Sequence, residues 1–290
     1  MHFIKVYLIG LCLLLSASVV KAGEGNADAS QPLVSSVYFT IGGAQLKDTY
    51  LSIIPYKGVD MGVGFERFRT SRFREHKWSI RHVLEMQYAT VLNRARNTSM
   101  MSMMLDYEFS FYRRYEFPCG VKLFAGGDFT VDAGTVYNPH NGNNPASAKA
   151  SVNLGIAGMV MYKLQIRNYP INIRYSLSVP AIGMFFCPQF GESYYELFYL
   201  GNRRDWLHFG SFANQMFITN LVTLDFPVRR RSVRIGYEGK FRSIHENYLV
   251  YQYYSNSFII GVTIDSVLKG GRPSGKGKSP SAAEMTAANY

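Results

Sequence analysis

The sequence predicts an all-β protein, a transmembrane antiparallel up-and-down barrel of about ten strands. Three observations carry that expectation: apolar residues recur at every second position, charges of both signs gather on the opposite face, and the connections between runs alternate in length. Composition permits it. Of 290 residues, 47% are hydrophobic and 15% aromatic, while only 18% are charged, against a usual charged share of about 25%. That is too apolar for a disordered chain. After the first twenty residues no run approaches the roughly 20 apolar residues a membrane helix needs, which excludes a helical membrane protein.

Residues 1–22 read as a signal peptide: His2 and Lys5, an apolar run from Val6 to Leu15, then small residues ending at Ala22, where cleavage and export are expected. Cys12 lies inside the apolar run behind Leu11 and reads as filler rather than as a lipoprotein site. Loss of this segment removes Lys5 and Lys21 and no acid, taking the net charge from +11 to +9. Residues 23–34 form a short flexible segment, 35–268 the barrel, and 269–290 a flexible basic tail. The tail sets Lys269, Arg272, Lys276 and Lys278 against Glu284 alone, among Gly, Pro, Ser and Ala. A basic surface on an exported chain without a concentrated Lys/Arg patch points away from nucleic acid and towards anionic lipid head groups.

Period two begins at Asp60–Glu66, where Met61, Val63 and Phe65 alternate with Asp60, Gly62, Gly64 and Glu66, the pattern of a strand that is wet on one side. It recurs in Trp78–Tyr88, Met101–Phe111, Ser151–Ile156, Ile171–Val179, Val233–Arg242 and Ser257–Asp265. The predicted strands are 35–44, 58–70, 78–92, 99–115, 120–134, 149–163, 170–180, 211–226, 232–244 and 249–266. They number twelve if the segment 181–210 hides a further hairpin. The connections 45–57, 135–148 and 181–210 are long, with 93–98 and 245–248 on the same side. The other side has only the tight 71–77, 116–119, 164–169 and 227–231. Long extracellular loops opposite short periplasmic turns, with both termini in the periplasm, is the expected arrangement of an outer-membrane barrel.

A soluble barrel points its apolar residues inward around one small core. Here the polar face carries Glu66, Arg81, Glu85, Asp106, Glu108, Asp128, Asp132, Arg174, Arg234, Glu238, Lys240, Arg242 and Asp265, a set too costly for a dry core without partners and suited to a polar lumen. Both signs being present, they are expected to pair across a narrow interior and plug it. Trp78, Tyr88, Tyr107, Tyr162, Tyr175, Tyr237 and Tyr251–Tyr254 are expected to form interfacial girdles. A soluble secreted β-protein is the alternative if the outward face is misassigned. Cys119 and Cys187, at opposite ends of such a barrel, are expected to be free thiols.

The segment Ala181–Gly210 holds the candidate ligand or lid residues: Phe185, Phe186, Phe190, Ser193, Tyr194, Tyr195, Glu196 and Phe198. Ser193 followed three positions later by Glu196 has the spacing of a capping box, which predicts a short helix over Ser193–Leu200. Tyr194, Leu197 and Phe198 would share one face. A loop of this length needs a packing reason of its own, so a lid on the rim or lumen is expected, with contact to a small hydrophobic ligand as the functional reading.

The run Phe186–Phe198, together with Asp48-Thr49-Tyr50-Leu51-Ser52, Tyr56-Lys57-Gly58 and Leu224-Asp225-Phe226-Pro227, resembles a domain-of-unknown-function family of exported Gram-negative, Bacteroides-type, outer-membrane β-barrel proteins. The resemblance spans about residues 35–266 and implies the fold and the compartment, with outer-membrane lipid and lipopolysaccharide as the surroundings. It implies no activity. Cys187 stands where the family pattern leads one to expect Ser.

A barrel hydrolase cutting lipid or peptide at the cell surface is the competing functional expectation. It requires a nucleophile, a base and an orienting group in reach of one another. His82 sits on the outer face, but Leu84 occupies the position where a His-x-Ser pair would place its serine. Asp48, Asp205 and His208 are loop residues of protease type with nothing in their spacing to unite them, and His140 lies in turn chemistry. The sequence holds no phosphate-binding Gly-rich loop, no His/Cys metal spacing and no Gly-x-Ser-x-Gly elbow, so no cofactor and no metal are expected. The reading that results is a non-enzymatic barrel with a narrow polar lumen and an aromatic loop lid, binding or passing a small or lipidic ligand.

Overall fold

The computed structural model describes residues 31–71, 77–142, 144–167, 169–201, 206–228 and 231–268. The expected signal peptide, most of the segment that follows it, the basic tail, Asp205, and the side chains of Phe198 and Asp265 lie outside the described residues. The strands are β1 (Gln31–Asp48), β2 (Ser52–Ser71), β3 (Trp78–Leu92), β4 (Ser99–Glu116), β5 (Val121–Tyr137), β6 (Ala146–Ile166), β7 (Tyr169–Phe186), β8 (Leu207–Ser211), β9 (Gln215–Val228), β10 (Arg231–Glu246) and β11 (Leu249–Leu268). A short helix, α1 (Tyr194–Phe198), lies between β7 and β8.

Sequence neighbours pair antiparallel from β1 to β8 and from β9 to β11, β1 pairs with β11, and β7 pairs with β9. Ten strands therefore close on themselves, which leaves no open edge along the ring. The short β8 pairs with β7 above β9, from Ile182↔Ser211 to Phe186↔Leu207. Both β8 and β9 run antiparallel to β7 and hence in the same direction, so β8 is the upper part of one strand interrupted at 212–214 rather than an arm of an extra hairpin.

The strands are longer than the sequence boundaries predict. Leu46 and Tyr56 are buried beyond the predicted strand ends, and pairing continues from Leu46↔Tyr56 to Asp48↔Ser52. The connection 45–57 thus contracts to the turn at 49–51, and 135–148 contracts to 138–145. Segment 187–206 is the long connection that remains. With lengths of 14 to 21 residues, the ten ring strands exceed the roughly 9–11 that cross a membrane, so the wall projects beyond the hydrocarbon layer.

Alternation fixes the two faces. Phe39, Ile41, Met61, Leu105, Leu154, Ile156, Ile182, Phe258 and Ile260 point outward and are exposed, Ile156 at 68%. Glu66, Arg81, Glu85, Arg174, Arg234, Glu238, Lys240 and Arg242 point inward and are buried. This inverts the polarity of a soluble barrel and is the layout of a transmembrane one. Tyr88, Tyr162, Tyr175, Tyr237 and Tyr254 are outward and exposed. Tyr251 and Tyr253 are not girdle residues: they are 4% and 1% exposed inside the lumen, because β11 enters the sheet with its odd-numbered residues inward. Cys119, exposed in the β4–β5 turn, and Cys187, buried at the opposite end, are both free.

Candidate functional site

The lumen is filled in layers. At the end where β1 begins and β11 ends, Val34, Phe68, Tyr112, Phe124, Ala157, Met159 and Met161 form one apolar cluster. At the loop end, Leu46, Leu51, Tyr56, Val91, Met100, Phe185, Cys187, Phe217, Ile244 and Tyr251 belong to a second. Between them lies the network of charges.

Its first centre is Glu66. Arg81 Nε donates to Oε1 at 2.6 Å, Arg174 donates Nη1 to Oε1 at 2.9 Å and Nη2 to Oε2 at 2.6 Å, and Arg234 donates to Oε2. Arg81 also reaches Glu108 at 2.9 Å, and Arg234 grips Asp225 with Nε at 2.7 Å and Nη2 at 3.0 Å. Planar guanidinium forks suit a carboxylate shared in this way. A buried carboxylate among buried arginines is tolerable only because each is paired and hydrogen-bonded.

The second centre is Lys240, 2.8 Å from Glu85, 3.5 Å from Glu238 and 3.6 Å from Asp106. Arg242 lies beside it, 2.6 Å from Asp106 and 3.2 Å from Asp132. Tyr38 donates to Glu85 at 3.2 Å. It reaches there by lying across Gly64, where a Cβ would stand 2.1 Å from the ring, so only glycine leaves room for the tyrosine. Asp128 accepts from Ser178, and Ser151 donates to Asp132 at 3.0 Å. Among these strands lies a cavity of about 50 Å³, whose lining includes Tyr38, Glu85, Asp106, Pro180, Phe217 and Lys240.

The lid spans the mouth at the loop end. Phe185 and Phe186 are the last residues of β7 rather than part of the loop, held by β8 through Phe185↔His208 and Phe186↔Leu207. Phe185 points into the lumen, fully buried. Tyr194 stacks on Phe186 at 6.4 Å between ring centroids, meets Tyr50 edge-on at 5.7 Å, and its hydroxyl accepts from the Ala148 N–H at 2.6 Å. Tyr50 in turn donates to the Glu192 carbonyl at 2.7 Å. The lid is therefore tied to β6, the neighbour of its own strand, and to the β1–β2 turn on the other side of the mouth.

Ser193 caps α1 as its spacing predicts: its Oγ accepts from the Glu196 N–H at 3.3 Å, and the Glu196 carboxylate accepts from the Ser193 N–H at 2.7 Å. These bonds hold the Glu196 carboxyl below its ordinary range. Leu197 is buried, whereas Phe190, Tyr195 and Glu196 face solvent, so the described candidate lid residues do not form one surface. Burial pushes the Cys187 thiol up to about 11 and raises the Tyr50 and Tyr194 hydroxyls.

The residues considered for hydrolysis are engaged separately. Asp48 pairs with Lys149 at 2.8 Å, His208 Nε2 lies 3.1 Å from the Cys187 carbonyl, and His82 Nδ1 meets the Tyr107 hydroxyl at 2.9 Å on the outer wall. Among the described residues there is no cluster of three His, Cys, Asp or Glu able to hold a metal. Two further acids complete the lumen: Asp225, and Asp60, which the 60–66 alternation already sets on the polar face. Asp225, 1% exposed, lies between outward Leu224 and Phe226, so the alternation itself marks it. Asp60, 0% exposed, accepts from Tyr253 at 2.8 Å and Ser257 at 2.9 Å.

The chain belongs to the family described as Protein of unknown function (DUF3316), whose model matches residues 6–272. Among curated proteins none matches it. Its structure is similar to the translocator domain of the autotransporter NalP from Neisseria meningitidis, at 8% identity and a TM-score of 0.36, covering 90% of this chain and 95% of that one. It is similar also to the β domain of the Bordetella autotransporter Brka, at 9% identity and a TM-score of 0.40, covering 82% and 99%. A third likeness is to the outer membrane protease OmpT from Escherichia coli, at 6% identity and a TM-score of 0.40, covering 84% and 99%. The barrel assignment rests on this chain's own strand pairings.

Proposed function

We propose that the protein resides in the outer membrane of a Gram-negative bacterium after cleavage near Ala22, and that it is a sealed, non-enzymatic barrel that takes up a small or lipidic ligand rather than an open diffusion pore. One observation carries this reading: the wall is apolar outside and charged inside, and the charged interior is closed by an apolar cluster at each end. An apolar exterior on nearly every strand needs lipid to cover it. A water-filled channel needs a polar path from end to end, which Phe124 and Met159 at one end and Leu46 and Phe185 at the other interrupt. Exposed Arg69, Arg113 and Lys163 near the terminal end suit anionic head groups, and lipopolysaccharide surrounds the opposite rim.

The test is fractionation followed by gel electrophoresis with and without boiling. The expected result is recovery in the outer-membrane fraction with a band that changes mobility only after heating. Recovery in the soluble fraction without such a shift contradicts it.

A further inference from the structure

We infer that the internal cavity is reached from the side, through a break in the wall between β7 and β9, and that it takes an amphiphile with an apolar body and a small cationic head. This rests on the reading of the barrel as embedded in lipid and adds the route and the ligand class.

Other ladders of the wall run unbroken; β3 and β4, for example, pair from Trp78↔Arg113 to Leu92↔Ser99. Between β7 and β9 the ladder runs only from Asn172↔Asp225 to Ser178↔Thr219, and the β7–β8 ladder resumes at Ile182↔Ser211. Val179, Pro180 and Ala181 on one side thus face the seven residues Phe212–Ile218 on the other. The sequence enforces the gap. Pro180 has no N–H to donate, and the register on the β6 side shifts between Gly155↔Pro180 and Leu154↔Ile182, while Gln215–Ile218 keep their pairing to β10 on the far edge. A bulge of this kind re-aims the strand and ends pairing locally.

The cavity lies behind that part of the wall, its lining including Ser178 and Pro180 from β7 and Phe217, Thr219 and Leu221 from β9. With an apolar cluster closing each end of the lumen, the missing rungs offer a route to the cavity from the lipid side. At about 50 Å³ the cavity has room for a small head group or a few waters, not for an alkyl chain. The chain has its own place: Ile182, Met184, Phe209 and Phe212 are exposed beside the gap on the outer wall.

Charge selects the head. Strand register sets Glu85 opposite Asp106 and Asp106 opposite Asp132, three acids in one row across β3, β4 and β5. Like charges directly opposed are unfavourable. Only Lys240 and Arg242 answer this row, and Lys240 is shared further with Glu238. Glu238 is 3% exposed and lines the cavity, and its Oε2 accepts no hydrogen bond, Lys240 Nζ standing 3.5 Å away. Four acidic side chains thus meet two cations, and an added ammonium finds acceptor oxygens there that a sulfonate or carboxylate cannot use.

The experiment uses the full chain in lipid nanodiscs, with Phe217→Trp as reporter and Trp78 and Trp206 replaced by Phe. Quenching is titrated with ω-bromooctylammonium and with ω-bromooctylsulfonate. The expected result is saturable quenching by the amine at concentrations on the order of tenfold lower than the sulfonate needs. A bulky maleimide on Ile182→Cys, in a Cys119→Ser background, should abolish it, and the same label on Tyr248→Cys at the mouth should not. Equal, unsaturable quenching by both probes overturns the cationic site, and blockage from Tyr248 but not Ile182 overturns the lateral route. As a check that needs no reporter, octylammonium should raise the unfolding temperature of the wild-type barrel saturably where octylsulfonate does not; equal effects also overturn the proposal. The boiling shift on the same sample reports separately on membrane embedding, so failure of that reading is distinguished from failure of this one.

Discussion

The middle of the lumen and its two ends are built from inward positions of the same strands, yet they hold the wall together by opposite means. At the ends, side chains such as Phe124, Met159, Leu46 and Phe185 exclude water and each other's neighbours by packing alone. In the middle, Glu66 gathers Arg81, Arg174 and Arg234 from β3, β7 and β10 onto one carboxylate of β2. Packing tolerates substitution by side chains of similar volume; a shared ion pair tolerates almost none, since removing one member strands the others. The difference explains how a lumen rich in charge is still closed: the apolar ends keep water from relaxing the network, and the network fixes which strands face each other.

The comparison is broken most forcefully at Glu66. Glu66→Gln leaves three buried arginines without their common partner and should destabilise the barrel by about 3–5 kcal/mol, read as a lower urea midpoint for loss of the heat-shifted band. At the apolar end, Met159→Ala should cost about 2–5 kcal/mol through a cavity, while Met159→Leu should cost less than about 1.5 kcal/mol. If Glu66→Gln proves milder than Met159→Leu, the network is decoration. On the outer wall, Ile156→Arg should cost about 2–4 kcal/mol if lipid covers that position. Tyr248→Arg, at a turn residue 98% exposed, should stay within about 0.5 kcal/mol, and equal effects would mean that both face water.

The smaller effects sit at the lid. Tyr194→Phe removes the hydroxyl that accepts from Ala148 and should loosen the lid by about 1 kcal/mol, seen as faster proteolysis within 187–206. Cys187, buried with its thiol pushed up to about 11, should resist maleimide under conditions that modify exposed Cys119 at once. Because the folded pKa lies above the unfolded value of 9.0, its contribution to stability is complete below about pH 9 and fades as pH rises towards 11. Unfolding midpoints measured across that window in wild type and Cys187→Ala check the sign.

Most of the wall was legible because period two is a local signal: Met61, Val63 and Phe65 declare one face, and Asp60 and Glu66 the other. The phase of the pattern is harder to read where both faces carry the same residue type. Tyr251–Tyr254 is aromatic throughout, so nothing local says that Tyr251 and Tyr253 turn inward. Strand ends were obscured because Gln45–Asp48 and Ser52–Lys57 pair without a strict apolar alternation. The break after Ser178 was hidden for a different reason. Its effect depends on β8 and β9 being one strand offset at 212–214, a long-range arrangement that Pro180 alone does not disclose. Within the lid, the Ser193–Glu196 spacing gave the helix cap, but the anchoring of Tyr194 to Ala148 and Tyr50 spans residues that only the closed barrel brings together.

The central claim is that the lumen is sealed, and electrical recording across a planar bilayer tests it most directly. The wild-type protein, inserted and verified by its boiling shift, should show no steady ohmic conductance at neutral pH in moderate salt, because apolar layers interrupt the ion path at both ends. Stable, voltage-independent openings of porin size in the wild-type chain would contradict that account and turn the charged interior from a plug into the lining of a pore.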